Sequence, residues 1–468
     1  MVGTSKVFAL VFALLTLGVI FWPGEGVIAG RVPVRMTVWG MPFEDRLFLD
    51  KYANVWEELN PGVRVDYGRY SDIRMKYNAW HARGHGAEVM RFEITWYPQF
   101  VERGMLEPLT PYLDAMPEGE RRALLESIPA YLMDLLTING EIYALPQDSA
   151  QFGLFYNRRM FDEAGIAYPT ADWTWDDLRD AARRLTRRDG AGRVVVRGFD
   201  FAVWSWPFLA FHHQAGGAMW SEDGSRCVVN SDAGVRALEF FRTLQADGSF
   251  QPVMGSYTDG ITADALFAAG KTAMFLDGSW RVPALDAAIP DPDGWGVAPL
   301  PRGVTRAVVC GSVLWGISPK SRHKDEGWRL LRWLVDDPQA AEYWDTLRVA
   351  PPANLRVLGS DAFVSTPGIP RDPADPSRGW EVPPMPAELF PWRAAWLRYA
   401  VTPHPDLGGR PPGFVPSHPF QGELQDELSS MMAEFLNPSS RVSPREALDL
   451  VASRVNAIID RSRRPARD

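Results

Sequence analysis

An acid set in an apolar strand is the feature of this chain best suited to holding a ligand. From Tyr143 to Asn157 the sequence reads Tyr-Ala-Leu-Pro-Gln-Asp-Ser-Ala-Gln-Phe-Gly-Leu-Phe-Tyr-Asn, so Gln147, Asp148, Ser149 and Gln151 interrupt an extended apolar run. A carboxylate buried in such a strand needs partners. Amide, hydroxyl and carboxylate groups in one segment can fork onto the hydroxyls of a ligand; the rival reading is an acid satisfied by backbone N–H groups. Alternation along the strand turns one parity toward any ligand. The 19 Trp residues add flat faces and N–H donors, which suit carbohydrate stacking, wide apolar pockets or a Trp-rich core.

Other chemistries find little support. His81 and His85 are one helical turn apart, but Gly84 breaks that helix and no third ligand is evident, so no metal is expected. Gly270-Lys-Thr272 lacks the upstream glycine of a phosphate loop. No Gly-x-Ser-x-Gly turn supplies a hydrolase nucleophile. A carboxylate pair for glycoside cleavage depends on the separation that a fold imposes, which leaves a secreted carbohydrate-active enzyme as the rival from another class. Cys227 and Cys310 are the two cysteines; they form no disulfide framework, and two unpaired thiols are expected rather than a bridge. No cofactor is expected.

At 468 residues the chain is too long for one ordinary core, so two lobes are expected. A net charge of −9 disfavours nucleic acid as the partner. Lys6, the apolar run Val7 to Trp22, Pro23-Gly24 and the small residues up to Ala29 read as a secretory signal peptide over 1–29. The run is short for a membrane span; an uncleaved N-terminal anchor is the alternative. The mature protein is therefore expected outside the cytoplasm, periplasmic or extracellular, and monomeric.

The elements that must position these residues alternate. Val34–Trp39 reads as a strand, and Phe43, Leu47, Phe48, Tyr52, Val55, Trp56 and Leu59 follow at helical spacing. Strands at Val63–Tyr67 and Glu88–Phe92 alternate with helices through Ile73–Trp80 and Trp96–Arg103, the pattern of parallel βαβ units. Ligands of such sheets lie beyond the carboxyl ends of the strands, where Trp39, Glu44, Glu93 and Trp96 fall. Thr174-Trp-Asp-Asp177 and Ser443-Pro-Arg-Glu446 fit capping boxes. Trp204 and Trp206 belong to an aromatic stretch that ends at Gly216-Gly217 and would serve equally as core. Further helices are expected at Trp392–Ala400 and Gly422–Leu436, with a surface loop at Thr366–Pro386 and a charged tail at 461–468. Arg348 reads as a solvated helix-end charge.

Five stretches, in order, resemble the sugar-binding family of bacterial extracellular solute-binding proteins of ABC importers, which includes the maltose and glycerol-3-phosphate binders. They are Asn60–Val65; Arg91–Leu109; Gly140-Glu-Ile-Tyr-Ala-Leu-Pro146 through Tyr156-Asn-Arg; Ala265–Met274 followed by Gly278-Ser-Trp280; and Asn437–Ala447. The resemblance implies a two-lobed α/β periplasmic-binding-protein fold of class II type. Each lobe would be a mainly parallel sheet flanked by helices, with a hinge between them. Lobe one would hold 31–146 and 312–365, lobe two 147–311 and 366–460. Gly278 and Trp280 would match the family's stacking motif, and Ala307–Ser318 its second crossover, where Gly311 and Ser312 suit a hinge strand. The implied ligand-binding set is Trp39, Glu44, Glu93, Trp96, Asp148, Ser149, Gln151, Trp204, Gly278, Trp280, Gly311 and Ser312. The implied function is capture of a sugar or oligosaccharide and its delivery to membrane permease subunits, with a polyol or glycerol-phosphate-type ligand as the alternative.

Overall fold

The computed structural model describes residues 30–40, 44–70, 72–253, 262–289, 291, 293–338, 340, 350–358, 396 and 399–463. The expected signal peptide, Arg348, the loop 366–386 and most of the helix at 392–400 lie outside them. No helix of the described residues is long and apolar enough to cross a membrane.

The strands that matter are, in chain order, β1 (Val32–Val38), β2 (Val63–Arg69), β3 (Val89–Glu93), β4 (Ala144–Pro146), β5 (Ala150–Asn157), β6 (Asp200–Phe201), β7 (Met274–Gly278), β8 (Trp295–Ala298), β9 (Val308–Gly311), β10 (Val313–Gly316) and β11 (Gly413–Phe414). The helices used below are α1 (Ile73–Ala82), α2 (Tyr97–Glu102), α3 (Trp175–Leu185), α4 (Ser205–Gln214), α5 (Asp232–Ala246), α6 (Gln421–Phe435) and α7 (Pro444–Ser462). One sheet has the order β2-β1-β3-β10-β4, the other β6-β7-β5-β9-β11 with β8 also on β5.

The first sheet follows the expectation where βαβ units build it: β1 pairs parallel with β2 and β3. Its far side is antiparallel, β10 lying against β3 and β4. The second sheet departs from a mainly parallel arrangement. Its central strand β5 runs antiparallel to β7, β8 and β9, and parallel pairing is confined to β6–β7 and β9–β11. The cause is the way the chain enters and leaves. It arrives along β5 from the first sheet and returns along the adjacent β9, and neighbouring strands with ends at the same edge must run in opposite directions.

Among the described residues, two large hydrophobic clusters and a smaller third back the sheets. The first gathers Phe48, Tyr52, Phe92, Phe100 and Trp315, the second Phe152, Phe161, Phe201, Phe208 and Phe241, and the third Phe155, Phe267, Phe275 and Trp295. Fully burying each such side chain contributes about 2–3 kcal/mol. Both expected capping boxes form, Thr174–Asp177 opening α3 and Ser443–Glu446 opening α7 with Pro444 in the first turn. Cys227 and Cys310 are free and buried.

The crossings between the sheets lie side by side. Residues 147–149 join β4 to β5, and Ser312 joins β9 to β10. The Gln147 amide donates to the Val313 carbonyl at 2.8 Å. The Ser312 hydroxyl donates to the Asp148 carbonyl at 2.6 Å, and the Val313 amide donates to Asp148 Oδ1 at 2.9 Å.

A candidate ligand site at the junction of the two sheets

Lobe-one candidates collect beyond the carboxyl ends of β1 and β3. Trp39 and Trp96 approach with ring centroids 6.0 Å apart, tilted by 53°. Both are half-buried. Glu93 closes β3 between them in sequence, and its Oε1 accepts from the Thr95 hydroxyl at 2.8 Å. Burial pushes the Glu93 pKa up; the Thr95 bond and the Arg74 charge oppose that, while Asp426 adds to it.

Glu44 is not on this surface. It is 2% exposed and accepts from Arg91 Nη2 at 3.1 Å. The same guanidinium donates through Nε to Gln147 Oε1 at 2.9 Å and through Nη1 to the Trp39 carbonyl. It also lies over the rings of Phe48 and Trp39. Arg91 therefore ties three things together: the carboxyl end of β1, the acid that follows it, and the first crossing.

The second lobe contributes an aromatic corner. Trp204, just before α4, stacks on Trp206 at 5.2 Å and 10°. Trp280 stands across both, at 72° and 78°. Phe152 on β5 meets all three rings. Trp280 packs against both of the larger hydrophobic clusters, the first of which also takes in Ala150, Val308 and Cys310 of the second sheet, and its Nε1 is buried with no hydrogen-bond partner among the described residues. Glycines make this corner possible. A Cβ on Gly278 would lie 2.2 Å from the Trp280 ring, and one on Gly311 2.5 Å from Trp206.

The crossing residues are committed internally. Asp148 is 2% exposed and bonded to Val313 as described. Ser149 Oγ lies 2.6 Å from the Tyr131 hydroxyl. Gln151 donates to the Trp396 carbonyl and accepts from the Ala400 amide. Ser312 is bonded to Asp148, and its carbonyl accepts from the Ile94 amide at 2.9 Å. Trp39 and Trp96 thus meet at one end of the first sheet beside Glu93, and Trp204, Gly278 and Trp280 meet in the aromatic corner of the second. Glu44, Asp148, Ser149, Gln151 and Ser312 are buried at or beside the crossings, with Gly311 making room for Trp206.

Burial pushes the Asp148 pKa up to about 7, against the pull of Arg91 and the Val313 bond, with Glu44 adding to the rise. Between the ordinary carboxylate range and pH 7 the folded chain then holds a proton that the unfolded chain has released. This contribution to stability is present at low pH and is lost as pH rises through about 7. Asp148→Asn keeps the acceptor for Val313 and has nothing to ionise. Its unfolding free energy relative to wild type, read by denaturant titration, should rise between pH 4 and pH 8, the difference reaching up to about 4 kcal/mol. The difference also removes the opposing slope of His212, which burial holds at about 4. A pH-independent difference between the two proteins would refute the assignment.

With this geometry in view, comparison with known proteins is informative. The family model described as bacterial extracellular solute-binding protein matches residues 42–341. The chain belongs to the bacterial extracellular solute-binding protein family. Among relatives of this solute-binding protein, the lactose-binding protein of Rhizobium radiobacter is 28% identical over 227 residues, 46% of this chain and 51% of that one. The mannitol-binding protein of Pseudomonas aeruginosa is 27% identical over 338 residues, 69% of this chain and 74% of that one. In fold it is similar to an ABC substrate-binding protein of Listeria monocytogenes solved with cycloalternan, with a TM-score of 0.72 at 21% identity, covering 92% of this chain and 99% of that one. The two-lobed fold is that of periplasmic sugar-binding proteins.

Sequence reasoning missed the part of this solute-binding protein that α6 plays. Its first two turns lie against α1 and α2, Gln99 Nε2 donating to Glu423 Oε1 at 2.8 Å and Arg74 meeting Asp426 at 3.2 Å. Nothing in a polar helix start marks a contact more than 300 residues distant. The role of Arg91 was hidden for the same reason: an Arg inside a strand signals a buried ion pair only when its acid is known.

Proposed function

We infer that this protein captures a sugar or oligosaccharide between its lobes and delivers it to the permease subunits of an ABC importer, performing no chemistry itself. The division into 31–146 with 312–365 and 147–311 with 366–460 is part of the same reading. So are export by cleavage after Ala29 and a monomeric state. The observation that carries the reading is Trp280. It touches both of the larger clusters, stands across two stacked indoles and holds its N–H without a partner. An apolar face with a nearby donor suits a sugar ring, whose C–H patch stacks while its hydroxyls accept or donate. Trp39, Glu93 and Trp96 are the opposing wall. Ligand stabilises the closed form by its differential affinity for that form.

A polyol remains the second reading because one relative is a mannitol-binding protein. A thermal-shift screen against sugars, polyols and their phosphates separates the two. Stabilisation by no carbohydrate, beside a clear shift with another class, sinks the sugar assignment.

Gly278 offers a sharper check. Its backbone is ordinary extended chain, φ −92° and ψ 171°, so Ala fits the backbone, and the three atoms its Cβ would meet first all belong to the Trp280 ring. Gly278→Ala should weaken affinity for the sugar selected by the screen by about tenfold, with stability lowered by about 1–3 kcal/mol. Calorimetric titration reads the first and denaturant unfolding the second. Unchanged affinity would remove Trp280 from the site.

A further inference from the structure

We propose that the first two turns of α6 and the lobe-one face formed by α1 and α2 are a latch that holds the lobes closed, with Arg74 coupling it to the ligand wall. This inference rests on the sugar-binding reading for its ligand, but its geometry is independent of that reading.

The latch has a buried member and an exposed one. Gln99, on α2, is 8% exposed and donates to Glu423 Oε1 at 2.8 Å. Arg103, just after α2, approaches the same oxygen at 3.8 Å. On the open side, Arg74 of α1 pairs with Asp426 at 3.2 Å. An exposed ion pair contributes little alone. Joined to a largely enclosed charge-assisted hydrogen bond it becomes a network, which holds better than its exposed member by itself.

Arg74 gives the network its second function. Its guanidinium lies 5.8 Å from the centroid of the Trp96 ring, over its face, while another of its nitrogens meets Asp426. Trp96 in turn leans on Trp39. The cation that closes the lobes is the same one that fixes a ring of the ligand wall. Glu93 feels both Arg74 and Asp426, so the acid of that wall is in the field of the latch. α6 is anchored in lobe two by Leu424, Leu428, Met431, Met432 and Phe435, so its first two turns move with that lobe. Arg74 is a positioning residue, acting through Trp96.

The test uses the mature chain and the sugar selected by the screen. The triple variant Arg74→Ala, Glu423→Ala, Asp426→Ala should release that sugar about tenfold faster, because loss of closing contacts appears mainly in dissociation. Its ligand-free radius of gyration by small-angle scattering should exceed that of wild type. Glu423→Gln, which keeps an acceptor for Gln99 but removes its charge, should release sugar at a rate between those of wild type and the triple variant. The double reversal Arg74→Glu with Asp426→Arg should release it more slowly than either single reversal, a result a merely structural role does not produce. An unchanged release rate and radius in the triple variant, or a double reversal no better than the singles, overturns the latch. If the wild type binds nothing in the panel, the functional reading fails and the scattering comparison still decides the latch.

Discussion

Arg91→Ala should lower the stability of the protein by about 3–5 kcal/mol, the usual cost of removing one partner from a buried ion pair. The guanidinium and the Glu44 carboxylate are 2% and 3% exposed. The substitution deprives Glu44 of this cation, Gln147 Oε1 of a donor and the Trp39 carbonyl of another. A buried acceptor left without its donor forfeits its desolvation with no return. Stabilities of folded domains are about 5–15 kcal/mol, so the loss is a large fraction of the total. The double change Arg91→Met with Glu44→Met removes both charges and should recover much of the loss, since an apolar pair of similar volume often replaces a buried ion pair at no cost. Urea denaturation of the two variants beside wild type reads the difference. If the double variant is less stable than Arg91→Ala, the ion pair is not what these residues contribute.

Trp280→Ala should cost at least about 30-fold in affinity for the screened sugar, corresponding to about 2 kcal/mol for a central aromatic anchor. The indole meets Phe152, Trp204 and Trp206 on one side and the first core on the other. Truncation therefore removes the stacking face and loosens the corner that orients it. Trp280→Phe keeps a flat face without the N–H and should lose less, about tenfold. Calorimetric titration of both separates face from donor. Affinity within threefold of wild type for the Ala variant would place the ligand elsewhere.

How much of this was legible in the sequence depends on the range of the interactions. The early βαβ units follow from local periodicity, and β1, β2, β3 and the helices between them lie where the apolar spacing puts them. Capping boxes are local too, and Thr174–Asp177 and Ser443–Glu446 form as their four-residue patterns require. The second sheet is more antiparallel than the resemblance implies, because strand direction depends on which neighbour β5 meets, and β7, β8 and β9 are all more than a hundred residues away in the chain. Asp148 shows the same limit within one residue. An acid in an apolar strand announces that it has a partner, and the partner is the Val313 amide, 165 positions on. The family resemblance singles out Trp280 through the Gly278-Ser279 that precedes it, whereas the start of α6 carries no such local mark.

The two crossings have a mechanical consequence. Segments 147–149 and Ser312 are joined by the Gln147–Val313, Asp148–Ser312 and Asp148–Val313 bonds, so they cannot slide or separate independently of one another. Two strands bonded in this way behave as a single flexural element. Pro351 and Ala353 bond to the same element through Ser149 and Gln147, so any bending of the sheets against each other at this place is expected to run through one narrow bonded strip. A molecule with one soft coordinate converts a small local event at its mouth into one defined change of outline. On the proposed reading, that outline is what a membrane partner would use to tell a loaded carrier from an empty one.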